Sequence, residues 1–204
     1  GGPRTFPCAG RAVSPRRTLL PAIGDAPSSP FPPTTTALTQ PNGLLAWGGG
    51  LEPERLLAAY RQGIFPWYSA GDPILWWSPD PRCVLFPGQV HISRRTRRRF
   101  NSGAFRLEAD SAFAEVINAC AAPRAGQPGT WITQDMLEAY CALHRAGHAH
   151  SVEVWCGNLL VGGIYGIALG RMFYGESMFS GEPDASKIAL IALCRFLQSA
   201  NFGL

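Results

Sequence analysis

Apolar and polar positions set residues 1–30 apart from everything that follows. That lead is rich in Pro, Ser, Gly and Ala without periodicity, which predicts a mostly disordered segment. From Pro41 the pattern tightens. Residues 52–63, EPERLLAAYRQG, place Leu56, Leu57 and Tyr60 at helical spacing between Pro53 and the stop residue Gly63, a short amphipathic helix. Residues 110–123 put Phe113, Val116, Ile117 and Cys120 on one helical face, with Asp110 as predicted N-cap and Pro123 as terminator. A further helix is predicted over 134–146, capped by Thr133 and closed by Gly147, with Met136, Leu137, Tyr140 and Leu143 buried. The last, 183–200, is apolar nearly all round behind Asp184, so it should be buried against a sheet, with amino-end amides open to an anion or a sugar-phosphate. Between these helices, Val152, Val154, Leu160 and Val161 flank a Cys156-Gly157-Asn158 turn, predicting a hairpin that feeds a third strand near 171–176. The glycine-interrupted run 162–180 then places one carboxylate, Glu176, at or just past a strand end. Lying between Tyr174 and Met178, it is costly to bury unless a cation or a hydrogen-bond donor meets it.

Two stretches carry unusual chemistry. In residues 63–86, Phe65, Trp67, Tyr68, Trp76 and Trp77 crowd together among Pro66, Pro73, Pro79 and Pro81, which exclude a helix. These aromatics either plug the core beneath a rigid loop or form a stacking wall. In HISRRTRRRF (91–100), Arg94, Arg95, Arg97, Arg98 and Arg99 cannot all find carboxylates nearby, so they form either a solvated face or a phosphate-gripping surface.

Charge sharpens that picture. Residues 82–107 carry seven Arg and no acid, so the rest of the chain is at −3 against a total of +4, an island that invites a polyanion. With 204 residues, 46% apolar and 16% charged, the chain reads as globular with one domain or two small ones. No run of about 18 apolar residues predicts a transmembrane helix, and the start lacks the apolar core of a signal peptide. The absent initiator Met suggests a fragment. Six cysteines without a CxxC pair point to a reducing cytoplasm. Cys141, His144, His148 and His150 are zinc-binding residue types, but C-x2-H followed by H-x-H is not a defensible ligand spacing, and no metal site is expected.

In order and at close to the expected spacing, GIFPWYSAGDPILWWSPDPR, HISR, GTWIT, AYCALHRAGHAHSVEVW, LVGGIYG, YGESMFS and DASKIAL resemble the leucyl/phenylalanyl-tRNA protein transferases, from about Phe31 to Leu204. The resemblance implies an α/β fold: a small N-terminal domain (31–80) after the lead (1–30), then an acetyltransferase-like (GNAT-like) domain (81–204), incomplete at its C-terminal end. It implies a cytoplasmic, monomeric aminoacyltransferase of the N-degron pathway. Such an enzyme moves Leu or Phe from aminoacyl-tRNA to proteins beginning with Arg or Lys. Because an aminoacyl ester is already activated, neither ATP nor metal is required, and no cofactor is expected. By resemblance, the apolar pocket falls to Trp67, Trp131, Ile164, Phe173, Met178 and Leu190, with Trp67 and Phe173 also near the terminal adenosine. Glu176 matches the active-site carboxylate, and Arg94, Arg95, Arg97, Arg98 and Arg99 are candidates for the tRNA backbone.

Three departures stand out. Relatives carry a D-x-Q pattern on a strand after the last helix, where this sequence stops at Leu204, so impaired chemistry is expected of a chain of this extent. Gly50 stands where many relatives have Asp, a lost helix cap. The arginine island is about one residue longer than usual. A non-catalytic, basic RNA-binding module is the alternative reading.

Overall fold

The computed structural model describes residues 19–123 and 130–203. Two four-stranded sheets organise a mixed α/β fold. The larger sheet runs β5 (Arg106–Ala109), β6 (Ala149–Cys156), β7 (Leu159–Leu169) and β8 (Met172–Ser180), with every neighbour antiparallel. The predicted hairpin is its centre: Gly157, at φ 58°, turns β6 into β7. The third strand is longer than predicted, because pairing with β7 continues to Ser180.

Both faces of this sheet are covered. α5 (Ala185–Ser199) lies on one, where Ile188, Ala189, Leu193 and Leu197 pack on Val152, Val154 and Ile164. It is less uniformly buried than its composition predicts, since Phe196 is 65% exposed. At its amino end Ser180 Oγ accepts from Ser186 N, and Asp184 pairs with Lys187 and Arg95. On the other face, α3 (Phe113–Ala121) and α4 (Gln134–Arg145) bury Phe113, Ile117, Met136 and Tyr140 against Tyr165 and Ile167. α4 is capped as predicted, Thr133 Oγ1 accepting from Met136 N. α3 is not: it starts at Phe113, and Asp110, at φ 58°, accepts instead from Ser151 N and contacts His150 Nδ1 at 2.8 Å.

The smaller sheet has order β1 (Ala22–Ile23), β2 (Leu44–Gly48), β4 (Leu75–Trp77), β3 (Phe65–Pro66). It shares a core with α3 and α4: Leu45, Leu56, Tyr60 and Trp76 belong to the same buried cluster as Phe113, Tyr140 and Tyr165. Residues 19–30 of the expected disordered lead are ordered, whereas 1–18 lie outside the described residues. Their order has a cause in α1 (Pro53–Tyr60), where fully buried Arg55 donates to the carbonyls of Gly24, Asp25 and Ala26 and pairs with Glu52 at 3.2 Å. α1 has no side-chain cap, but its N-cap position is Glu52, so the Gly50 departure does not fall on the capping residue.

β7 and α5 approach closely because Gly162 has no side chain. A Cβ there would meet Ala185 Cβ at 2.6 Å and its carbonyl carbon at 2.9 Å. Gly162→Ala is therefore expected to destabilise the fold by about 1–3 kcal/mol, read as a lower urea midpoint; an unchanged midpoint would contradict this packing.

Candidate active site

Glu176 sits mid-strand rather than at a strand end, and the ladder explains how it reaches the interior. Tyr165 pairs with Ser177 and Gly166 with Gly175, leaving Glu176 as the extra residue of a β-bulge. A bulge interrupts strict alternation and re-aims a side chain. Tyr174 and Ser177 consequently pair across the same face although three residues apart, with Glu176 turned toward α1 and α4.

There Tyr60 donates to Glu176 Oε1 at 2.7 Å, Tyr140 to Oε2 at 3.2 Å, and the two phenol oxygens lie 2.5 Å apart. Hydroxyl donors thus meet the carboxylate, the second of the two partners its setting demands. Burial pushes the Glu176 pKa up to about 7, against the opposing pull of the Tyr60 and Tyr140 hydroxyls and the charge of Arg82. Tyr60 and Tyr140 are raised well above 10, first by burial and then by the charge of Glu176. Three side chains joined by three oxygen–oxygen contacts need three protons for a closed ring, and only protonated Glu176 supplies the third. Ionised Glu176 leaves one contact without a hydrogen. Tyr174 ties the arrangement together, its hydroxyl donating to Tyr60 O at 2.9 Å.

A cavity of about 790 Å³ opens beside Glu176. Trp67, Trp131, Ile164, Phe173 and Leu190 line it, so five of the six expected pocket residues converge with the carboxylate. Met178 does not; it lies further along β8, outside the lining and 38% exposed. Both readings of the aromatic segment hold, for different residues. Trp76 is fully buried and donates to Gly48 O, while Trp67 is 49% exposed and meets Trp77 edge-on at 5.4 Å. Sequence reasoning missed the roles of Tyr60, Tyr140 and Arg82. The two tyrosines read simply as core positions, and their hydroxyls were the available signal.

The basic island forms α2 (Arg94–Phe100), capped by Ser93. Arg95 pairs with Asp184 and Arg99 with Glu182 at the start of α5, whereas Arg94, Arg97 and Arg98 are exposed with no carboxylate partner among the described residues. Among those residues no group of three or more His, Cys, Asp or Glu is placed to hold a metal, and His144 Nδ1 contacts Ala149 O at 2.8 Å.

The raised Glu176 pKa has a thermodynamic consequence. Between pH 4.5 and about 7 the folded state holds a proton that the unfolded state releases, so this group makes stability fall as pH rises through that window. Glu176→Gln is expected to remove that fall. Relative to wild type, the variant should gain stability progressively from pH 4.5 to 7 and stay ahead at pH 8 by on the order of 2 kcal/mol. Urea unfolding across this range checks it; parallel curves would refute the assignment.

Comparison with known proteins gives the family. A family model described as leucyl/phenylalanyl-tRNA protein transferase matches residues 84–204, and one for the N-terminal domain of that family matches residues 49–80. A Xanthomonas euvesicatoria pv. vesicatoria protein is 59% identical over 183 residues, covering 89% of this chain and 73% of its own length. One from Xylella fastidiosa (strain 9a5c) is 60% identical over 178 residues, covering 87% and 73%. One from Azoarcus sp. (strain BH72) is 58% identical over 186 residues, covering 91% and 78%. All three bear the name leucyl/phenylalanyl-tRNA–protein transferase. With most of the chain matched by these models and relatives, the chain belongs to the leucyl/phenylalanyl-tRNA protein transferase family.

Proposed function

We propose that this protein transfers Leu or Phe from aminoacyl-tRNA to the N-terminal Arg or Lys of acceptor proteins, marking them for degradation by the N-degron route. The observation that carries this reading is the aromatic and aliphatic cavity with one hydrogen-bonded carboxylate on its wall. Trp67, Trp131, Ile164, Phe173 and Leu190 receive an apolar aminoacyl side chain, with Trp67 and Phe173 next to the terminal adenosine. Met178 contributes only if the wall extends along β8 once substrate is bound.

The reaction is an aminolysis. The acceptor's neutral amine attacks the ester carbonyl carbon, the ester C–O bond breaks, and the amine's proton ends on the departing ribose oxygen. An α-amine titrates near ~8, within about one unit of Glu176. Ionised Glu176 holds the acceptor's ammonium group and orients it, and the matched acidities allow proton exchange without a large energetic penalty. Tyr60 and Tyr140 keep the carboxylate aimed.

The tRNA backbone lies along α2, where Arg94, Arg97 and Arg98 offer unpaired guanidinium groups and Arg95 and Arg99 complete the surface. The chain divides near residue 80 into an N-terminal unit and an acetyltransferase-like unit, in keeping with one sheet ending at Trp77 and the next beginning at Arg106. It works as a monomer in the cytoplasm; no helix among the described residues is long and apolar enough to cross a membrane.

Binding of leucyl-tRNA, alanyl-tRNA and uncharged tRNA on one tRNA body tests this reading. Leucyl-tRNA should bind tighter than the other two by at least about tenfold; equal affinities would leave only a basic RNA-binding surface. Replacing Arg94 and Arg98 by Ala should weaken all three alike and make the salt dependence shallower, by roughly 0.7–0.9 in log–log slope per lost phosphate contact. An unchanged slope would remove α2 from the interface.

A further inference from the structure

Arg82 is the one cationic side chain, among the described residues, that lines the cavity. Its guanidinium is held from two sides: Cζ lies 4.8 Å from the centre of the Phe65 ring, and Nη1 donates to Gly63 O at 3.2 Å. Among the described residues no carboxylate comes within 4 Å of it. Glu176, the only carboxylate on the same wall among the described residues, is engaged by Tyr60 and Tyr140. Five N–H donors in a planar fork, one of them used, leave a pre-aimed site for a bidentate anion.

Its place on the wall says which anion. Phe65, in β3, and the exposed Trp67 just beyond it both line the cavity, so the guanidinium over Phe65 and the indole of Trp67 face the same space. A nucleoside stacked on that indole carries its phosphate at its edge, against a wall whose other lining groups are largely apolar and uncharged. We infer that Arg82 is the phosphate subsite of this cavity, gripping the phosphodiester on the 5′ side of the terminal nucleoside that bears the amino acid. The inference rests on the aminoacyl-tRNA reading and adds a contact inside the cavity, separate from the α2 surface.

The test uses two non-hydrolysable probes that differ by one charge: phenylalanine amide-linked to 3′-amino-3′-deoxyadenosine, with the 5′ position either a free hydroxyl or a methyl phosphodiester. Wild type should bind the diester about tenfold more tightly. Arg82→Gln should bring that ratio to about one with nucleoside affinity unchanged, which also reports an intact cavity. Arg82→Lys, keeping charge without the fork, should retain part of the preference. A ratio that survives Arg82→Gln, or an equal loss for both probes, would overturn the inference, the second by showing that Arg82 only braces Phe65. Failure of wild type to bind either probe would instead strike the donor reading itself, and this inference with it.

Discussion

The hydrogen bond from Tyr60 to Glu176 joins residues 116 positions apart, and much of the architecture follows from it. A carboxylate among aromatic rings is untenable without donors. Its donors come from two helices, Tyr60 at the end of α1 and Tyr140 on α4, so the N-terminal unit must dock where both hydroxyls reach one bulged strand. The rings carry this docking in packing as well as in hydrogen bonds. Tyr60 meets Tyr174 edge-on at 5.2 Å, and Tyr140 meets Tyr165 at 5.7 Å. The contacts that hold the Glu176 carboxylate are therefore also contacts that pack α1 and α4 on the larger sheet.

The bulge at Glu176 and the glycines of β7 serve the same end by different means. Gly162 lets α5 press against the sheet and so brings Leu190 to the cavity. At Gly166, a Cβ would strike Tyr174 O and the Phe173 ring, so the missing side chain leaves room for a residue of the pocket wall. A largely apolar cavity results, with Glu176 and Arg82 as the carboxylate and the guanidinium among its described lining residues.

Charge is kept apart from this interior. Arg95 and Arg99 are tied to the acids that begin α5, which fixes α2 on the surface, and Arg94, Arg97 and Arg98 are left facing solvent. Two separate cationic features result: the exposed arginines of α2 and one arginine over the Phe65 ring at the cavity wall.

Local sequence determined the elements whose signals are local. Thr133 and Gly147 bound α4, Gly157 turns the hairpin, and Pro53 opens α1 because each acts through its own backbone. Family motifs brought Glu176 and five cavity residues together in advance. What only the tertiary structure decided are the relations that depend on distant partners. Residues 19–30 look featureless in sequence and are ordered by Arg55 reaching back across the fold. Asp110 has the residue type of a cap but is drawn to Ser151 on the neighbouring strand. Glu176 seemed to end a strand, because a bulge exists only in the register between two strands and no single strand encodes it. Tyr60 and Tyr140 follow the same rule: the spacing that buries a tyrosine ring is written in its helix, whereas the partner of its hydroxyl is settled by the packing of the whole chain.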